Sequence, residues 1–347
     1  MYFQRYSDYM TTETKRIDWI DSARGVAFLM VIYYHSIYEN RELMYYFFPV
    51  FLTMFFFVSG YLFKNTLSFK HLVEHRLRTL LLPFLIFGLF LIFSEILFPY
   101  KNMAPLPQRL SGFFLQIRNN YDKLWFIAAL FIMNFPFYFL IKYAKSTKKL
   151  LLVSFVLFLL STIYRYYLKL PLLPWHVQYI GFCCFYMTLG YLYRHYESRL
   201  AFLGKKGIPV ALLFLYVLSM FIRQNVLHSP NINFVGSYYI FDALIISCLG
   251  IAAIIYLLKR VNRKSTLLVF IGANSLCYFA LHGLILRAFH ALIETLFVTY
   301  SIEHSAQIDF FIGIGLPFLV AVVLILPVMC INKYMPVIVG KGLPRFF

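Results

Sequence analysis

Two residues eleven positions apart, Arg24 and His35, carry the chemistry this chain could do; they lie in the stretch 14–40, TKRIDWIDSARGVAFLMVIYYHSIYEN. At about 100° per residue, eleven steps turn about 1100°, so both side chains project from nearly the same face of a helix, about 16 Å apart along its axis. Asp21 and Phe28 stand at heptad steps before His35, so one stripe runs Asp21, Arg24, Phe28, His35. An ionisable group inside an apolar span is costly and normally faces a protein interior or a wet cavity. Histidine is the side chain whose ordinary pKa suits a base near neutral pH, and arginine binds anionic oxygens through a planar fork. A packing reading stands beside this one: Arg24 pairs with Asp21 and holds the helix in its bundle, with Asp21 a structural partner.

The elements that must position this stripe are helices in a bilayer. The 347 residues are 61% hydrophobic and only 13% charged, with apolar runs recurring from Met30 to Cys330, more apolar surface than one soluble core hides. Alternation at period two, which a membrane β-barrel needs, is absent. The expected fold is therefore all-α, a polytopic transmembrane helical bundle. The net charge of +18 does not point to nucleic acid, because the basic residues fall in short loops between apolar spans. Cys183, Cys184, Cys248, Cys277 and Cys330 all lie in apolar segments and read as small buried hydrophobes, with no disulfide framework. No metal-ligating cluster, cleavable signal peptide, internal repeat or low-complexity segment is read.

Ten spans are expected, at Ile17–Tyr38, Met44–Phe63, Pro83–Tyr100, Leu124–Ile141, Leu150–Tyr164, Tyr179–Tyr193, Ile208–Ile222, Ser237–Leu258, Leu267–Phe289 and Ile308–Ile331. The basic, amphipathic segment Lys64–Leu82 suits a short interfacial helix before the third span, and Lys101–Lys123 reads as a polar loop with two prolines. Of the 32 Lys and Arg, 22 fall in the N-terminal arm, the tail and the loops after even-numbered spans, and 9 on the opposite side, with Arg24 between. That bias places both termini in the cytoplasm. The chain divides into an arm (1–15), a transmembrane domain (16–332) and a tail (333–347).

Several segments, in order, resemble the acyltransferase-3 family. IDSARGVAFLMVIYYH is similar to its first-helix signature, with Asp21, Arg24-Gly25 and His35; FFFVSGYLF to its aromatic Ser-Gly segment, with Ser59-Gly60; HRLRTLLLPF to its basic stretch before a proline, with Arg76, Arg78 and Pro83. KLWFIAALF resembles its Leu-Trp-aromatic segment, with Trp125, and GANSLCYFALHGLIL a late helix with Asn274, Ser275, Tyr278 and His282. The local pattern, Trp-Ile-Asp and then Arg-Gly, looks most like the branch containing sugar O-acetylases.

The resemblance implies a multi-pass enzyme of a bacterial-type inner membrane. It would move an acyl group, acetyl in that branch, from cytoplasmic acyl-CoA to a hydroxyl of a glycan or lipid-linked saccharide, with no bound cofactor. His35 would then be the general base or a transient acyl carrier. Arg24, fixed by Asp21, would meet the donor with Arg76 and Arg78, and Ser59, Trp125, Tyr278 and His282 would line the acceptor's cavity. Elementary chemistry agrees: an alcohol attacking a thioester needs a base, a phosphate-rich donor needs cations, and holding both reactants in a dry cavity supplies much of the rate. Two other classes fit the polar stripe: a polysaccharide transporter or flippase, in which it lines a permeation path, and a non-catalytic membrane assembly partner, in which it is helix glue. Ser59-Gly60 also suits close helix approach, Arg76 and Arg78 suit anionic lipid, and Trp125 an interface anchor.

Overall fold

The computed structural model describes residues 17–66, 68–97, 103–117, 121–226, 240–261 and 266–341. The expected arm 1–15, the end of the third span, the start of the eighth, parts of the loops after the third, seventh and eighth spans and the last residues of the tail lie outside them. The described residues are helical, with no strand. Seven helices are long and apolar enough to cross a bilayer: Glu42–Tyr61, Phe69–Leu97, Trp125–Ala144, Thr147–Tyr167, Ile208–Asn225, Ser275–Thr299 and Ala306–Tyr334. The expected first, sixth and eighth spans are also helices, α1 (Asp18–Tyr34), α9 (Ile180–Tyr196) and α11 (Ile240–Arg260). Of these, α1 and α9 have 17 residues each and sit largely inside the bundle.

The expected first span stops four residues early, at Tyr34, with His35 as its cap at φ −91°, ψ 0°. Local hydrogen bonds turn the chain there: Tyr38 N donates to Ser36 Oγ at 3.1 Å and Asn40 N to the Tyr33 hydroxyl at 2.7 Å. The chain re-enters through α2 (Arg41–Phe47), capped by the Asn40 side chain, and α3 (Phe51–Tyr61). The separate interfacial helix expected over 64–82 is not separate. Helix α4 (Phe69–Arg76) runs through a widened π turn at Leu77–Leu81 into α5 (Leu82–Leu97), one element of 29 residues. Pro83 lacks an N–H and crowds the turn before it, and the wide turn gives its ring room.

The expected polar loop 101–123 also contains a helix, α6 (Leu106–Leu115), entered through Pro105 with Pro107 in its first turn, where proline costs little. There follow α7 (Trp125–Ala144) and α8 (Thr147–Thr162), which widens over Ile163–Tyr167, then α9 and α10 (Ile208–Asn225). The expected ninth span is broken at Asn274 into α12 (Thr266–Ala273) and α13 (Ser275–Thr299); the tenth steps at Leu324 between α14 (Ala306–Val323) and α15 (Ile325–Tyr334).

Helix α1 is the hub, packed on α3, α11, α12, α13 and α14, while α9 packs on α3 and α8. Among the crossings too close for a Cβ, two bear on the polar residues of α1 and α3. A Cβ on Gly272 would stand 1.7 Å from the Asp21 carbonyl oxygen where α12 meets α1, and one on Gly60 would stand 1.8 Å from the Met187 carbonyl oxygen where α3 meets α9. The first crossing buries Asp21 and fixes the height of Arg24; the second fixes Ser59.

Candidate functional site

A cavity of about 320 Å³ opens where α1, α3, the widened turn after α4, α7, the α12–α13 break and the C-terminal tail converge. Among the described residues Arg24, His75, Arg76 and Lys341 line it, and no carboxylate does. Its apolar wall includes Phe55, Phe126, Ile127, Leu130 and Phe279. A cationic lining joined to an apolar one suits an amphiphile with an anionic head.

Each cation is placed by a local feature. Arg24 Nη1 lies 3.5 Å from Asp21 Oδ1 one helical turn back, and the arginine is the more exposed of the two, at 25% against 9%. Arg76 closes α4 just before the π turn, near enough to Arg24 for the two charges to repel. Lys341 arrives from the far end of the chain. After α15 the tail makes one short turn, Pro336–Val339, and Gly340 takes a left-handed φ of 73° against the widened turn, where a Cβ would be 2.5 Å from the Arg78 carbonyl oxygen. Lys341 Nζ then donates to Asn332 Oδ1 at 2.9 Å, and Asn332 Nδ2 donates to Asn274 Oδ1 at 2.8 Å. Asn274 therefore does two things: it breaks the ninth span and anchors the tail's lysine.

The second half of the site is a histidine pair. The His35 and His282 rings have centroids 5.0 Å apart, inclined at 68°. His35 Nδ1 is 2.8 Å from the Val31 carbonyl oxygen, and His282 Nδ1 is 2.8 Å from that of Phe279 and 3.2 Å from that of Tyr278. Carbonyl oxygens only accept, so Nδ1 carries the proton in both neutral rings and Nε2 carries the lone pair. His282 is buried, edge-on to Phe28 at 5.5 Å and against Phe279 at 5.8 Å; His35 is exposed. Phe279 belongs to both halves, because it also lines the cationic cavity.

The stripe expected on α1 is thus present as geometry: Asp21 holds Arg24 at the cavity, Phe28 touches His282, and His35 meets His282. His35 lies at the end of α1, not deep within it. The expected donor arginines part company, since Arg76 lines the cavity while Arg78 is ion-paired with Glu74 and does not. The expected acceptor residues also divide. Ser59 lines the cationic cavity and donates to the Phe55 carbonyl at 2.8 Å; Trp125 packs edge-on to His176 at 5.3 Å and does not line it. Tyr278 is buried, its hydroxyl donating to the Ala321 carbonyl at 2.9 Å, which ties α13 to α14. Sequence reasoning passed over His75, Asn332 and Lys341; the Pro336 and Gly340 turn residues are the signal that the tail folds back. Among the described residues no group of three or more His, Cys, Asp or Glu could hold a metal ion.

A family model described as an acyltransferase domain, the acyltransferase-3 model, matches residues 17–331. No curated protein and no solved structure matches the chain.

Proposed function

Because this chain belongs to the acyltransferase-3 family and is a multi-pass membrane acyltransferase, we propose that it moves an acetyl group from acetyl-CoA to a hydroxyl of a cell-envelope saccharide. It works in a bacterial-type inner membrane with both termini in the cytoplasm, so that the mouth of the cationic cavity takes the donor from that side. Arg24, Arg76 and Lys341 meet the donor's phosphates, as charge-assisted hydrogen bonds to anionic oxygens are the strong ones. The thioester arm lies along the apolar wall toward Phe279. The acceptor hydroxyl approaches the histidine pair from the other side.

His35 is the general base. Its Nε2 takes the hydroxyl proton as the oxygen attacks the thioester carbonyl carbon. Collapse of the tetrahedral species breaks the C–S bond, and the departing thiolate takes the proton from the imidazolium, giving the ester and coenzyme A. The imidazolium forms at the carbonyl end of α1, where the helix dipole favours a cation. The single observation that carries this reading is the continuity between the two halves: Phe279 lines the cationic cavity and packs against His282, whose ring faces His35.

The test is acyl transfer from radiolabelled acetyl-CoA by the purified chain in lipid nanodiscs, with mass spectrometry of envelope glycans with and without the gene to name the sugar and the acyl group. Transfer by the single pure chain excludes a transporter or a silent assembly partner. No transfer to any envelope glycan fraction would sink the proposal. Incubation with donor alone is expected to leave no acyl label on the peptide Val31–Tyr38; a label there would make His35 an acyl carrier.

A further inference from the structure

A second cavity, of about 280 Å³, lies between α9 and α11 and shares no lining residue with the cationic one. The two helices run the same way. Lys259, near the end of α11, is ion-paired with Glu197 just beyond α9, and the Tyr256 hydroxyl donates to the Leu200 carbonyl at 2.8 Å. The cavity follows them. Leu189, Leu192 and Tyr196 line it from α9, and Cys248, Ile251 and Ile255 from α11, with Phe57 of α3 behind. Each set spans seven residue steps, about 10 Å of helix rise. Cys248 is twelve residues from Arg260 at the end of α11, about 18 Å. In a hydrocarbon core about 30 Å thick, the slot therefore runs from near one face to about the middle. Among the described residues no charged side chain lines it.

The outer end of the slot is built from the segment 199–206, RLAFLGKK. Leu200 and Leu203 line the cavity, and the Tyr256 hydrogen bond holds this segment and its short turn, Ala201–Gly204, on α11. Phe202 in that turn is exposed, as are Arg199, Lys205 and Lys206 around it. The Arg199 guanidinium lies over the Tyr196 ring, 5.5 Å from its centroid, which sets one cation at the mouth of the slot. Glu197, the carboxylate nearest along the chain, is already engaged by Lys259 and by the Tyr61 hydroxyl at 2.6 Å. An apolar slot parallel to the helices, with exposed cations and an exposed aromatic ring at its surface end, has the polarity of a phospholipid: phosphate at the interface, acyl chain inward. A water-soluble anion would leave the apolar slot unfilled, and a neutral lipid would leave the cations without a partner in the headgroup.

We propose that this slot binds one anionic phospholipid of the surrounding bilayer. One acyl chain lies between α9 and α11, and the phosphate sits beside Arg199, Lys205 and Lys206. The bound lipid fills the seam that joins α3, α9 and α11 and stabilises the folded chain by mass action. The site stands apart from the donor cavity and the histidine pair and does not depend on acyl transfer.

The test uses the full-length protein, stripped of lipid in detergent and titrated with dioleoyl phosphatidylglycerol or dioleoyl phosphatidylcholine. Native mass spectrometry counts the bound lipids, and Tm is read in parallel. One phosphatidylglycerol is expected to be held at least about tenfold more tightly than phosphatidylcholine, and to raise Tm. Arg199→Gln, Lys205→Gln and Lys206→Gln combined are expected to remove that preference. A matched control, Lys142→Gln, Lys148→Gln and Lys149→Gln combined, takes three exposed cations from the junction of α7 and α8 and is expected to leave it in place. Ala252→Phe fills the slot and is expected to lose the tightly held copy of either lipid. The first triple variant changes only exposed side chains, so the headgroup arm is read separately from any effect of Ala252→Phe on folding. Equal retention of the two lipids overturns the proposal. So does a preference that survives the first triple variant, an equal loss in the control, or displacement of the lipid by chain-free glycerol phosphate at the same concentration.

Discussion

His35 and His282 stand with ring centroids 5.0 Å apart, and each has its Nδ1 against a main-chain carbonyl of its own segment. Two protonated rings at that distance would repel by about 3 kcal/mol at an effective dielectric of about 20. Double charging of the pair is therefore disfavoured, and a proton taken from the acceptor is the one positive charge the two rings carry.

His35→Gln keeps much of the shape and cannot accept a proton near neutral pH. It is expected to cut turnover by roughly two to four orders of magnitude, while the variant inserts normally and binds donor as the wild type does. In the wild type, activity is expected to rise with pH and then level, because the neutral base is the working form. His282→Phe preserves packing against Phe28 and Phe279 and removes Nε2; a loss of at least about tenfold in kcat with unchanged donor KM is expected. Single-turnover assays read both variants. Most of the activity surviving in His35→Gln would move the base to His282.

Arg76 and Arg78 are two positions apart and face different partners. Loss of a charged hydrogen bond to the donor, about 1.5–3 kcal/mol, is expected to raise donor KM by about ten- to a hundredfold in Arg76→Ala and in Arg24→Ala. Arg24→Lys recovers part, because lysine keeps the charge and loses the fork. Arg78→Ala removes the ion pair to the buried Glu74 and is expected to lower Tm with donor KM unchanged. A donor KM effect in Arg78→Ala equal to that in Arg76→Ala would show that the cavity does not separate them.

The tail offers a third test. Gly340→Val places a Cβ against the Arg78 carbonyl at a left-handed φ, and a cost of about 1–3 kcal/mol is expected. Lys341→Met leaves the backbone alone and removes only the charge. Both are expected to weaken donor binding, and the first alone to lower Tm. Wild-type donor KM in Lys341→Met would remove the tail from the site.

Much of the bundle was legible because bilayers demand long apolar helices and leave little else to choose. The stripe on α1 was legible too, since Asp21, Arg24, Phe28 and His35 share a face by helical period alone. What escaped was whatever depends on contact across long sequence separation. Lys341 looked like one more basic tail residue until Gly340 and Asn332 placed it, and the bond from the Tyr278 hydroxyl to the Ala321 carbonyl had no signal in the sequence. The π turn at Leu77–Leu81 was hidden because hydrophobicity cannot distinguish a widened turn from a break. Arg76 and Arg78 read alike in a basic segment; only the pairing with Glu74, four residues before Arg78, sets them apart.

Beyond the histidine pair, the turn between α13 and α14 carries a pH-sensitive contact. The His304 imidazole lies 3.0 Å from Asp309 and 3.5 Å from Glu294, and the hydrogen bond to Asp309, with the charge of both carboxylates, holds its pKa above the ordinary value of 6.5. A folded-state pKa above the unfolded one adds stability that is fully present below pH 6.5 and is lost as pH rises through the folded value. The wild type's Tm in detergent is therefore expected to fall across that window relative to His304→Gln. Parallel Tm curves for the two proteins would refute the contact's contribution.

The rings of Phe126 and Phe279, which lie between the cationic cavity and His282, have a second duty. A bilayer enzyme with openings toward both sides risks short-circuiting the proton gradient its host depends on. An aromatic constriction is a barrier of the kind that closes pores by excluding water, and such a constriction would pass the donor's apolar arm while turning back ions. Phe279→Ala would widen the constriction: vesicles holding the variant are expected to lose an imposed pH gradient faster than vesicles holding the wild type. Equal leak rates would place the seal elsewhere in the bundle.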